Sequence, residues 1–177
     1  MTHADLCERA IRWLRGQRCD PVLHGIASSA EIPDAIGWGS DGSIVIECKI
    51  SIGDLLRDKR KNHAEKRMGD RRLFLCPFGL VAAGYIEKHF PDHGLLSPQG
   101  RKMTVLRTAP IRQHPNHRSE VRYLRFALIH ARSNLLKLGC GVDLAALCQF
   151  FGEDGISLPA EKRPFYRPDP LPELVRA

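Results

Sequence analysis

Apolar residues recur at helical spacing across residues 4–16, where Leu6, Ala10, Trp13 and Leu14 fall on one face and Gly16 supplies a stop. The pattern then breaks into short runs. Residues 21–26 and 32–38 read as two strands parted by a serine-rich turn. Gly39-Ser40-Asp41-Gly42 is a turn signal, and residues 43–50 form the clearest strand of the chain, β-branched and bounded by glycines. A helix is predicted over 54–67, with Ser51 or Gly53 near its cap. Residues 72–77 read as a buried strand, because Leu73-Phe74-Leu75-Cys76 is apolar without a break. A short helix at 83–88 and a last core strand at 102–107 complete an α/β arrangement around a mixed sheet flanked by helices.

Beyond residue 111 the character changes. A basic loop with histidines and prolines (112–118) leads into a long helix predicted over 119–138. Ser119 is its expected cap, and Val121, Leu124, Leu128, Ile129 and Leu135 lie along one side. A further short helix is expected at 142–151. The five prolines of residues 159–177 predict an extended tail without a core of its own. The expected organisation is a core at 1–110, a helical extension at 111–158 and a proline-rich tail at 159–177. The long helix suits either a homodimer contact or closure of the core.

Composition narrows the class. At 177 residues, 43% hydrophobic and 27% charged, the chain fits one ordinary globular domain. No apolar run approaches the roughly 18 residues of a membrane span, so no membrane partner is expected. The amino terminus lacks a basic start followed by an apolar stretch, which predicts a cytoplasmic protein. A net charge of +7 raises the odds of a polyanionic partner. No two of the six cysteines are two to four residues apart, so buried thiols in a reducing compartment are expected rather than a zinc site. Pro91 separates His89 from His93 and Pro115 separates His114 from His117; both pairs read as surface residues.

The chemistry concentrates in Glu31-Ile32-Pro33-Asp34-Ala35-Ile36-Gly37-Trp38 and, after the glycine turn, Ile44-Val45-Ile46-Glu47-Cys48-Lys49. Alternate strand residues share a face, so Glu47 and Lys49 point the same way about 7 Å apart. Charges in so apolar a strand are costly unless they meet partners or a ligand. A hairpin centred on Asp41-Gly42 brings Asp34 opposite the Glu47 region. Two carboxylates on adjacent strands make a hard oxygen site for Mg²⁺ or Mn²⁺, with the backbone carbonyl of Cys48 as a third ligand. Lys49 stands where an ammonium would hold the attacking water or neutralise the transition state of phosphodiester hydrolysis.

Pro33-Asp34, a spacer, then Glu47-Cys48-Lys49 resembles the signature of the PD-(D/E)XK nuclease superfamily, and the predicted helix–strand–strand–strand–helix–strand order is similar to that superfamily's restriction-endonuclease-like core. The longer run through Asp54-Leu55-Leu56-Arg57-Asp58-Lys59-Arg60-Lys61 and Met68-Gly69-Asp70-Arg71-Arg72 looks like small nuclease-like proteins of bacteria and their phages. The resemblance covers residues 4–110. It implies a metal-dependent deoxyribonuclease in a bacterial or phage-infected cell, with Asp34 and Glu47 binding the metal and Lys49 assisting hydrolysis. It also suggests Glu8 as an extra acid and Lys59 as a helper lysine. Glu31 is a further auxiliary acid, although its strand parity turns it away from Asp34.

Arg57, Lys59, Arg60, Lys61, Lys66, Arg67, Arg71 and Arg72 outweigh Asp58, Glu65 and Asp70 just downstream of this site, where a phosphate backbone would lie; they are the expected DNA contacts. The alternative is a DNA-binding module that keeps the fold without cleaving, and an RNA substrate stays open. Trp13 and Trp38 read as core residues rather than stacking platforms.

Overall fold

The computed structural model describes residues 1–26, 31–60 and 67–137, without the side chains of 58–60 and 135–137. The helix expected at 142–151, the tail, and the cations Lys61 and Lys66 lie outside the described residues, as do the side chains of Lys59 and Arg60.

Helix α1 (His3–Gly16) opens with a reciprocal cap. The Thr2 hydroxyl accepts from the Asp5 amide, and the Asp5 carboxylate accepts from the Thr2 amide. Leu6, Ala10 and Leu14, four residues apart, are its buried stripe. There follow β1 (Val22–Leu23), β2 (Ala35–Gly39), β3 (Gly42–Cys48), α2 (Ile52–Arg60), β4 (Arg71–Leu75), α3 (Ala83–His89), β5 (His93–Gln99), β6 (Lys102–Arg107) and α4 (His117–Lys137). The strands form one six-stranded mixed sheet in sequence order. β1, β2 and β3 run antiparallel, β3, β4 and β5 run parallel, and β6 returns antiparallel on β5. The protein is therefore α/β, with helices against a mixed sheet.

One sheet face carries Ala35, Ile46, Cys48, Leu73, Leu75 and Leu96 against the stripe of α1. The opposite face has two clusters. Phe74 and Leu95 meet Leu55 of α2, Ile86 and Phe90, while Ile36 and Val45 meet Met68 and Tyr123 of α4. β3 and β4 are covered on both sides, which explains their unbroken apolar sequences. The β2–β3 turn needs glycine at 42. Its φ is +100°, and a Cβ there would stand 2.5 Å from Asp70 Oδ2, the atom that accepts the Ser43 amide at 2.7 Å.

Several expectations change. β1 is two residues long rather than six. Residues 32–34 precede β2 instead of belonging to it, and Lys49 follows the end of β3. β5 falls where no element is expected, and its Gly94 and Pro98 are poor strand formers. Pairing on both sides by β4 and β6 makes it a strand. A Cβ at Gly94 would meet Leu73 Cδ2 at 2.5 Å and the Ala109 amide nitrogen at 2.6 Å, so glycine there serves close packing. β6 is an exposed edge strand, not a core strand.

α4 begins at His117, and Asn116 rather than Ser119 caps it: Asn116 Oδ1 accepts the Ser119 amide at 2.9 Å. Its buried side carries Glu120 and Tyr123, while Val121, Leu128 and Ile129 are exposed. The helix is docked through a carboxylate instead of its most apolar stripe. Glu120 accepts from the Gly69 amide at 2.8 Å and the Trp38 indole at 3.0 Å, and lies 3.0 Å from the Ser43 hydroxyl. The compact unit accordingly runs from Met1 to Asn134, past the expected core limit near 110. Among the described residues no helix is long and apolar enough to cross a membrane.

Candidate active site at the end of the central hairpin

The β2–β3 register pairs Ala35 with Ile46, so the next step outward sets Asp34 against Glu47. Asp34 Oδ2 accepts the Cys48 amide at 2.8 Å, which pins the carboxylate to the end of β3. Two groups from α1 approach the same residue. His3 Nε2 stands 3.3 Å from Asp34 Oδ2, and His3 Nδ1 is 3.5 Å from Cys7 Sγ. His3, Cys7 and Asp34 each offer a ligand atom, all within 4.8 Å of one another. His3 and Cys7 are one helical turn apart, a spacing legible in the sequence but not singled out there.

Glu47 is buried, with 8% of its surface exposed. Its Oε2 lies 3.6 Å from Lys49 Nζ, and its Oε1 lies 3.4 Å from Arg72 Nη2. Lys49 is also buried, at 5% exposure, with its ammonium 6.0 Å from the centre of the Phe74 ring. Burial pushes the Glu47 carboxyl up to about 7, and the charges of Asp34 and Glu31 add to the rise. The cations Arg72 and Lys49 pull against it without restoring the usual range.

Arg72 was expected on the DNA surface. It is 2% exposed and holds this cluster together instead. Its guanidinium forks onto Glu31 at 2.6 and 3.0 Å, reaches Glu47, donates to the Met68 carbonyl at 2.9 Å and donates through Nε to His93 Nε2 at 3.4 Å. Glu31 turns toward this cluster, because residue 31 lies before β2 and is not bound by strand alternation. Its Oε2 accepts the Met68 amide at 2.9 Å while both its oxygens face Arg72. Arg72 is missed in the sequence because it heads an apolar run inside a cation-rich stretch. His93, expected at the surface, is 3% exposed and stacked 4.4 Å from the Phe74 ring. Burial and the surrounding cations, Arg72 first, push it down to about 2, so it is a neutral imidazole.

The remaining expected residues divide clearly. Glu8 is exposed on α1, one position beyond Cys7. Arg57 is exposed and 3.9 Å from Asp54 Oδ1; Arg67 and Arg71 are half-buried. The Cys7 and Cys48 thiols lie against each other and are both pushed up, chiefly by burial, so neither is a ready thiolate. Trp38 donates to Glu120 behind the sheet. Trp13 packs on the core but also lines a surface groove.

No family model matches the chain, and no curated protein matches it. Among solved structures it is similar to the SPO1766 protein of unknown function from Silicibacter pomeroyi, with a TM-score of 0.55 and 22% sequence identity over 76% of this chain and 90% of that one. At that identity the likeness is one of fold.

Proposed function

We propose that this chain is a metal-dependent DNA nuclease of the PD-(D/E)XK kind, with Asp34, Glu47 and Lys49 at its centre. The observation that carries the reading is the Glu47–Lys49 pair, buried at the end of β3 beside Asp34. The order α1–β1–β2–β3–α2–β4, with an antiparallel hairpin feeding a parallel crossover, supports it as the order of that superfamily's core.

The donor set fits a hard divalent cation. Glu47 has its proton affinity raised by burial despite two neighbouring cations, the state of a carboxylate that a further positive charge would stabilise. The contacts of Asp34 named above go to its Oδ2. A strand residue's amide and carbonyl leave the chain on the same side, so the Cys48 carbonyl joins the edge where its amide meets Asp34. Asp34, Glu47 and that carbonyl would hold Mg²⁺ or Mn²⁺, which supplies Lewis-acid polarisation of a phosphodiester and an acidified water when bound.

The chain's own groups do the positioning. The Cys48 amide orients Asp34, and Arg72, fixed by Glu31 and Met68, orients Glu47. Lys49, held beside Glu47, places a positive charge where the attacking water or the developing phosphorane oxygens would lie. The exposed cation Arg57 would meet the backbone of DNA.

One observation favours a second reading, a DNA-binding module without catalysis: Glu47 already has Arg72 and Lys49 as partners, as a purely structural network would. A cleavage assay separates them, using linear, circular, single-stranded and branched DNA and an RNA arm, with Mg²⁺ or Mn²⁺ and with chelator. Metal-dependent cutting that falls about 10²–10³-fold in Lys49→Ala, with binding intact, is the nuclease outcome. Salt-sensitive binding with no cutting on any substrate establishes the module.

A further inference from the structure

Away from this site, the second half of α1 and the β5–β6 turn enclose a groove of about 630 Å³. Arg9, Arg12, Arg101 and Lys102 line it together with Trp13 and Met103, and no carboxylate is among its described lining residues. Arg9 Nη1 donates to the Gly100 carbonyl at 2.8 Å, which ties the helix to the turn and fixes one wall. Trp13 is partly buried against the core cluster and also lines the groove. From His3, beside Asp34, to Trp13 is ten residues of helix, so the groove lies about 15 Å along α1 from the candidate active site.

Cations gathered in a concavity focus positive potential and concentrate anions. An indole beside them adds a flat apolar surface. Phosphate and an aromatic ring together match one chemical unit, the nucleotide, and the groove's open form suits a unit within a strand. We propose that this groove binds nucleotide units of a single-stranded nucleic acid, with the backbone phosphate among Arg12, Arg101 and Lys102 and a base against Trp13. It does not require Asp34, Glu47 or Lys49 to be catalytic.

The test is binding of a short labelled oligothymidylate to the full chain in chelator, with thymidine monophosphate and inorganic phosphate as competitors. Arg12→Glu with Lys102→Glu changes two exposed side chains. It should weaken binding at least tenfold and make the logarithmic salt dependence shallower by about 0.7, the contribution of one neutralised phosphate of a single strand. Trp13→Leu should lose about 5–150-fold and Trp13→Phe should recover most of it, the range expected for one stacked base. Thermal unfolding of each variant separates lost binding from lost fold.

If the monophosphate binds as tightly as the strand, and both respond to these substitutions, the same chemistry belongs to a free nucleotide. Unchanged oligonucleotide binding in the double variant overturns the proposal. So does displacement by inorganic phosphate as effective as by the monophosphate, with Trp13→Leu neutral. Because the readout is binding without divalent metal, a failure here leaves the nuclease reading standing, and a failure to cleave leaves this one standing.

Discussion

Glu47→Gln should make the protein more stable, not less, and the effect should grow with pH. The buried carboxyl is pushed up from 4.5 to about 7, so ionised Glu47 is less comfortable in the folded chain than in the unfolded one, even beside Arg72 and Lys49. At 1.36 kcal/mol per pH unit this corresponds to about 3 kcal/mol. The sign follows from proton linkage. Between 4.5 and 7 the folded state binds more protons at this group, so wild-type stability from Glu47 falls as pH rises and levels off above 7. The glutamine variant keeps the shape without the charge. Near pH 8 it should gain about 3 kcal/mol, or about 6–12 °C in Tm for a chain of this size, and near pH 4.5 the difference should vanish. His93 is present in both proteins, so the comparison isolates Glu47. Urea unfolding from pH 4.5 to 8.5, in chelator, reads the difference directly. Mg²⁺ at about 1,000 times its Kd should then reverse the order, since it adds about 4.1 kcal/mol only to a chain that binds it. If the glutamine variant is destabilised by about 1 kcal/mol or more at pH 8, Glu47 is a stabilising ion-pair partner and the argument from its burial is wrong.

Three further outcomes follow from the same geometry. Arg72→Met leaves Glu31 and Glu47 without their shared guanidinium and should cost about 3–5 kcal/mol, read by urea unfolding at pH 8 and reduced at pH 6, where Glu47 takes a proton. Glu120→Ala strands the Gly69 amide and the Trp38 indole; a loss of about 1–3 kcal/mol for each, with faster hydrogen exchange at Gly69, is expected, and unchanged exchange would show that α4 is docked by its apolar contacts alone. Zn²⁺, which takes nitrogen and sulfur donors, should compete for Asp34 through His3 and Cys7 and inhibit Mg²⁺-dependent cleavage; Cys7→Ser should relieve that inhibition while leaving the Mg²⁺ reaction intact, and equal inhibition of both proteins would place the zinc elsewhere.

The sequence by itself determined what depends on neighbours along the chain. The stripe Leu6, Ala10, Leu14, the turn at 39–42 and the apolar runs of β3 and β4 are local periodicities and local turn chemistry. From them came the α/β class and the opposition of Asp34 to the Glu47 region, because a hairpin fixes its own register. Tertiary structure decided whatever depends on distant partners. Gly94 and Pro98 are poor strand formers, yet β4 and β6 enclose them as β5. Arg72 looks like one more surface cation until β3, β4 and Glu31 surround it, and Glu31 escapes strand parity because its segment precedes the strand. α4 shows its apolar stripe to solvent because the Glu120 carboxylate finds donors 77 and 51 residues earlier in the chain, at Ser43 and Gly69. A buried charge takes its meaning from the charges the fold brings to it, and those lie beyond the reach of any sequence window.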